Sequence, residues 1–121
     1  MIAPAPANAS RRDAEAYQER ILPAVSRTFA LTIPQLDPRL RTVIANAYLL
    51  CRIADTIEDE QSLAGDVKQQ FHDRFTRVVV STEDPASFAR DLAPLLHGNT
   101  LAAERDLVAH TPDVIEVTDG F

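Results

Sequence analysis

The sequence predicts an all-α chain, and three observations carry that expectation. Apolar residues recur at three- and four-residue spacing through most of the length. A capping residue stands directly before a proline at Asp37-Pro38, Asp84-Pro85 and Thr111-Pro112, the arrangement that starts a helix with its first orphan N–H groups satisfied. Strand-like alternation is missing, apart from the short ambiguous run at 78–80, and there is no internal repeat and no glycine-rich phosphate loop.

Taken in order, residues 1–10 are rich in Ala and Pro and read as a disordered tail. Ser10 is placed to cap a first helix running to about Leu22, with Ala14, Tyr17 and Ile21 on its buried face and Pro23 interrupting it. A polar segment, Ser26-Arg27-Thr28-Phe29, follows within 25–33, and Pro34 and Pro38 bracket a turn into the central helix. Beyond that helix, a loop containing Gly65 ends at Asp66. Val67, Phe71, Phe75, Val78 and Val79 then make an apolar stripe, with the phenylalanines read as core. Residues 81–85 form a turn into a helix carrying Phe88 and Leu92, which Pro94 ends or kinks. Asn99 or Thr100 starts the next helix, with Leu101, Leu107 and Val108 along it and Glu104 in its first turn, where the dipole favours a carboxylate. Thr111-Pro112 opens the last, with Val114, Ile115 and Thr118, while His97 and His110 near helix ends read as surface residues.

Composition narrows the class of function. With 121 residues, 45% of them apolar, the chain is long enough to bury roughly two thirds of its surface as one domain. A formal net charge of −6 argues against a nucleic-acid partner, which would need clustered Lys and Arg, yet an acidic protein still binds a diphosphate through bridging metal. The single cysteine, Cys51, leaves no disulfide framework and no zinc pattern; within the central helix it reads as a small buried apolar residue. No apolar run approaches the ~18 residues of a membrane span and the start lacks a signal-peptide core, so a cytoplasmic chain is expected.

The chemistry concentrates in residues 44–60, IANAYLLCRIADTIEDE, which contain no Gly or Pro and follow the Asp37-Pro38 start. On a helix, Tyr48, Arg52, Asp55 and Asp59 fall at offsets of roughly 0°, 40°, −20° and 20°, one narrow polar stripe. Val43, Ala47, Leu49, Leu50, Ile53, Ala54 and Ile57 occupy the rest of the circumference. A helix so apolar is expected inside the fold, with its stripe facing a cavity. Asp55, Glu58, Asp59 and Glu60 crowd the negative end of the macrodipole, at a cost of about 0.3 to 1 kcal/mol each. The pairs Asp55–Glu58 and Asp55–Asp59 add roughly 0.2 to 0.5 kcal/mol of repulsion apiece, offset only in part by Arg52. Such a cluster makes sense if a hard cation normally sits there: Asp55 and Asp59, with Glu58, suit Mg²⁺ held jointly with substrate phosphates. Ser26 and Arg27 offer hydroxyl, N–H and guanidinium donors to a phosphate, with the Phe29 ring just beyond for a hydrocarbon.

The segments VSRTFALTIPQL (25–36) and YLLCRIADTIEDE (48–60) resemble the N-terminal part of the squalene and phytoene synthases, which join two prenyl diphosphates head to head. The likeness extends more loosely through FHDRF, LAPLL and TLAAERDLVAHTPDVIEVT, and the DTIED form leans toward squalene synthases. It implies a helical isoprenoid synthase fold, with residues 1–20 as tail and start of the first helix and 21–121 as the N-terminal part of the domain. That family's barrel has two acidic helices facing each other. Only one is found here, so a truncated N-terminal half of a larger enzyme is expected, inert by itself, with the apolar faces of 44–57 and 67–79 left without partners. In the resembling enzymes Ser26 contacts the diphosphate and Phe29 lines the prenyl pocket; Thr28 stands where squalene synthases often have Ser. The implied roles are Mg²⁺ on Asp55, Asp59 and Glu58, diphosphate binding by Arg52, Ser26 and Arg27, and Tyr48 near the allylic cation. The implied substrate is farnesyl diphosphate, passing through presqualene diphosphate to squalene, with NADPH as reductant by resemblance alone and membrane contact through the lipid product in the full-length protein. A phytoene synthase, a presqualene diphosphate synthase, and a non-catalytic helical assembly protein of the same descent are the alternatives.

Overall fold

The computed structural model describes residues 7–121, and among them every regular element is helical. Helix α1 (Ala7–Val25) is followed by a short α2 (Arg27–Thr32), a 3-10 turn (Ile33–Gln35) and the long α3 (Pro38–Asp59). Then come α4 (Gly65–Val79), α5 (Pro85–Leu92) with a 3-10 turn (Ala93–Leu95), α6 (Ala102–Ala109) and α7 (Thr111–Asp119). The expected tail falls in part on residues 1–6, outside the described residues.

The helix starts follow from local chemistry. The Asp37 carboxylate accepts the Arg39 N–H at 3.0 Å ahead of Pro38. Asp84 accepts from Ala86 and Ser87 ahead of Pro85, which with the Ser87 hydroxyl holds its carboxyl below the usual range. Pro94 ends α5 as expected, because α5 gives way to the 3-10 turn after Leu92.

Five boundaries differ from the sequence reading. Ser10 lies inside α1 rather than capping it, and α1 runs through Pro23 to Val25. Pro23 forfeits its own N–H bond to the Glu19 carbonyl, but only two helical residues follow it, so the break it would impose falls at the helix end. Gly65, not Asp66, begins α4, and α6 begins at Ala102, after Leu101. Thr111 is within α7, its hydroxyl donating backward to the Val108 carbonyl at 2.6 Å instead of capping forward.

Helices α3 and α7 sit at the middle, with α1 lying along both, α4 and α6 against α3, and α5 against α7. Leu49, Ile53 and Ile57 of α3 are fully buried, each worth about 1.5–3 kcal/mol relative to exposure, and they meet Phe88, Leu92, Leu107, Val108 and Val114 in one core. Phe71, Phe75 and Val78 of α4 close that core, so the faces expected to lack partners are largely covered; the large apolar residues left exposed on α2 and α3 are Phe29, Leu31, Leu40 and Val43. A buried polar knot ties the three central helices: Asn46 Nδ2 donates to Gln18 Oε1 (2.7 Å) and the Val114 carbonyl (2.9 Å), and Thr118 Oγ1 donates to Asn46 Oδ1 (3.0 Å). His110 is more than a surface residue, since its ring stacks on the buried Tyr17 at 4.2 Å.

Candidate functional site

Helix α3 is amphipathic in this chain rather than buried all round. Ala45, Asn46, Leu49, Ile53, Thr56 and Ile57 face the core, whereas Val43, Ala47, Cys51, Asp55, Glu58 and Asp59 are exposed. The polar stripe therefore faces outward, and Cys51, expected inside, is exposed. The physical reason is that α1, α4, α6 and α7 all pack on the Leu49–Ile53–Ile57 side, and none of the described elements lies over Asp55.

The two separated motifs meet. The Phe29 ring stacks on Tyr48 at 4.3 Å between centroids, and the Tyr48 hydroxyl donates to the Val25 carbonyl at 3.3 Å, fixing the start of α2 against α3. Ser26 caps α2, its Oγ accepting from the Phe29 N–H at 3.2 Å. That use leaves the hydroxyl proton free to donate outward. Arg27 is exposed and makes no hydrogen bond or ion pair among the described residues.

One turn beyond Tyr48, Arg52 is half-buried, and its guanidinium Nη2 is ion-paired to Glu104 of α6. Its Nε is buried without a hydrogen-bond partner among the described residues. Glu104 also accepts the Leu101 N–H at 3.1 Å through its other oxygen, so one carboxylate both starts α6 and holds Arg52.

The acidic end of α3 divides into three environments. Glu58 is turned toward α4, its carboxylate 3.1 Å from His72 Nε2 and its carbonyl accepting from Lys68 Nζ at 2.5 Å. Glu60, read from sequence as one more member of the cluster, is fully buried and serves the loops. Its Oε1 accepts from Gly98 N (3.1 Å), Thr100 N (3.4 Å) and Thr100 Oγ1 (2.8 Å), and its Oε2 from Ser62 N (2.9 Å) and Asn99 N (3.3 Å). Burial pushes this carboxyl up, but the donors from Ser62, Thr100 and Asn99 outweigh it and hold the group down at about 2. Asn99 completes the helix end by donating to the Asp59 carbonyl at 2.9 Å.

Asp55 and Asp59 are the exception. Both are exposed, one turn apart, and neither carboxylate has a hydrogen-bond or ion-pair partner among the described residues. The dipole penalty at this end is relieved at Glu58 and at two carbonyls, and is left standing on these two side chains. Among the described residues no group of three or more His, Cys, Asp or Glu is gathered to hold a metal ion by protein ligands alone. Two hard carboxylate oxygens with an open outer side fit Mg²⁺, which usually takes one or two carboxylates and completes its shell with water and phosphate.

An aromatic pair, an arginine and an unpaired Asp–Asp step thus lie along one helix of an all-α chain. Residues 22–112, more than half of the chain, match the squalene/phytoene synthase family, and the chain belongs to that family. It is 33% identical over 88 residues to a squalene synthase of Saccharomyces cerevisiae, covering 69% of this chain and 20% of that protein. It is 43% identical over 53 residues to squalene synthase 8 of Panax ginseng, covering 44% of this chain and 14% of that protein. The chain thus spans a fifth or less of the length of these relatives. No solved structure matches it significantly.

Proposed function

We propose that this chain supplies the first diphosphate-binding helix of a squalene-synthase-type prenyl transferase, acting on farnesyl diphosphate with Mg²⁺. The observation that carries the reading is the exposed, unpartnered Asp55–Asp59 step beside Arg52 and the Phe29–Tyr48 stack. Asp55 and Asp59 would hold Mg²⁺, with Glu58 within reach only on release from His72. Bound there, the metal neutralises charge developing on a diphosphate leaving group. Arg52 lies on the same helix within one turn of Asp55, and although its Nη2 is held by Glu104, its orphaned Nε is a donor that a phosphate oxygen would satisfy. The Ser26 hydroxyl proton and the exposed Arg27 add donors one helix away, and Phe29 with Tyr48 offers ring faces to a hydrocarbon chain and an allylic cation.

The relatives compared are squalene synthases, which favours squalene over phytoene or presqualene diphosphate as the end product and brings NADPH as reductant; no residue of this chain is assigned to NADPH. Among the described residues no helix is long and apolar enough to cross a membrane.

The test is Asp55→Asn. In the full-length enzyme carrying this chain, turnover of farnesyl diphosphate with Mg²⁺ should fall by at least about 10²-fold, in line with loss of an electrostatic stabiliser. Helicity and melting temperature of the 121-residue chain should not fall, because the change removes repulsion. Near wild-type turnover would refute the assignment. The 121-residue chain incubated by itself with farnesyl diphosphate and Mg²⁺ is expected to give neither squalene nor presqualene diphosphate, and detectable product from it would show that one acidic helix suffices.

A further inference from the structure

A second site lies at the other end of α3. Between α1, the α2–turn segment and the first turns of α3 opens a cleft of about 240 Å³, with walls from Leu22, Pro23, Ala30, Ile33, Pro34 and Ala45. Its polar lining comes from Glu15, Gln18 and Glu19 of α1 and from Arg41 and Thr42 of α3. Arg41 and Asp55 are fourteen residues apart on one helix, about 21 Å along its axis, so this cleft is separate from the acidic step.

Two donors in the cleft lack partners. Arg41 forms no ion pair among the described residues, and its Nε is buried with no hydrogen bond. Gln18 is 98% buried, at 2% exposure. Its Oε1 is taken by Asn46, and its own NH₂ group has no partner among the described residues. An unmade hydrogen bond on a buried donor costs more than an ordinary one contributes, so the orphaned Arg41 Nε at an apolar-walled opening calls for an acceptor, with the Gln18 amide as a second donor beside it. Thr42 donates its hydroxyl to the Pro38 carbonyl at 3.2 Å and is not a third donor.

The charges at the mouth limit the acceptor. Glu15 is matched by Arg11 at 3.2 Å, while Glu19 on the same helix forms no ion pair among the described residues. A head group with one negative charge would be drawn to the planar fork of Arg41, whereas a diphosphate would also meet Glu19. We infer that this cleft binds a short aliphatic carboxylate, its head on Arg41 and the Gln18 amide and its chain against Leu22, Ile33 and Ala45.

Octanoate is the probe, titrated into the ¹⁵N-labelled 121-residue chain and followed by NMR. Saturable shifts are expected at the Gln18 side-chain amide and at the backbone amides of Ile33 and Ala45. Arg41→Gln should weaken binding at least ten-fold with the remaining spectrum unchanged, and Arg41→Lys should retain most of it. Should Arg41→Gln fail to fold, the wild-type chain decides alone: 1-octanol must bind at least ten-fold more weakly than octanoate, and acetate more weakly as well. Octanoate binding that is absent, indifferent to Arg41→Gln, or equalled by octanol would overturn the site. So would shifts at Gln18 caused by pyrophosphate with Mg²⁺, which would merge the cleft with the acidic step. None of these results depends on the activity of the Asp55–Asp59 pair.

Discussion

Glu60→Gln is the substitution that asks most of the structure. The glutamine oxygen can keep the three donors now on Oε1, from Gly98 and Thr100, but its NH₂ group would face the Ser62 and Asn99 N–H groups that Oε2 now accepts. Hydrogen bonds to a charged group contribute about 1.5–3 kcal/mol each, and two are lost. Because these loops are half-exposed and water can replace part of the loss, a destabilisation of about 2–4 kcal/mol is expected. For a chain of this length that corresponds to a fall in melting temperature on the order of 10 °C. Thermal and urea unfolding followed by circular dichroism measures it near neutral pH.

The pH dependence gives an independent check. The Glu60 carboxyl is lowered from an ordinary value of 4.5 to about 2 in the fold, so the unfolded chain takes up its proton first as pH falls. The stability it contributes is fully present above about 4.5 and is lost progressively as pH drops toward 2. Wild type and Glu60→Gln should accordingly differ most near neutral pH and converge in acid. Gly98→Ala should mimic the variant, since a Cβ there would fall inside the Glu60 Oε2 radius. A Glu60→Gln protein within about 0.5 kcal/mol of wild type, or a gap unchanged down to about pH 3, would refute the reasoning.

Other expectations are smaller. Glu104→Ala removes the partner of the half-buried Arg52 and should cost about 1–3 kcal/mol in urea unfolding, with Glu104→Gln costing less because it can still accept from Leu101. Ser81 follows α4 at φ 67°, where Thr82 N–H bonds the Arg77 carbonyl and Ser81 N–H the Val78 carbonyl, the closing pattern that favours glycine. Ser81→Gly should therefore stabilise the chain by about 0.5–1 kcal/mol, read as a higher urea midpoint. Asp55→Asn should raise the midpoint by a few tenths of a kcal/mol, the repulsion and dipole penalty it relieves.

Much of the fold was legible because its signals are local. The Asp37-Pro38 and Asp84-Pro85 starts, the Phe71–Phe75–Val78 stripe and the break at Pro94 each depend on neighbours a few residues away. The long-range pairings were not legible. Glu104 was readable as a first-turn carboxylate, but its hold on Arg52 spans 52 residues and depends on how α6 lies against α3. Glu60 was grouped with Asp55 and Asp59 because its sequence neighbours are acidic. Its burial follows from the chain turning away at the end of α3, which brings residues 98–100 onto it. The orientation of the polar stripe was misread for a related reason: Val43, Ala47 and Cys51 are small or aliphatic enough to suit a core, and periodicity cannot say which of two apolar faces the neighbouring helices will cover.

The same division explains why the acidic step can be altered without loss of fold. The strong tertiary contacts of α3 leave from its Leu49–Ile53–Ile57 side, through the Asn46 knot, through Arg52 to Glu104 and Tyr48 to Phe29, or through Glu60 at its end. Asp55 and Asp59 contribute to none of these and instead carry an uncompensated electrostatic cost. Side chains kept at a cost to stability are expected where a ligand recovers it, so stability and metal affinity should respond to Asp55→Asn in opposite directions. Parallel melting curves with and without Mg²⁺ and pyrophosphate measure both at once: the wild-type chain should gain stability from the pair of ligands and the variant should gain little. Equal gains in the two proteins would place the metal somewhere other than this helix.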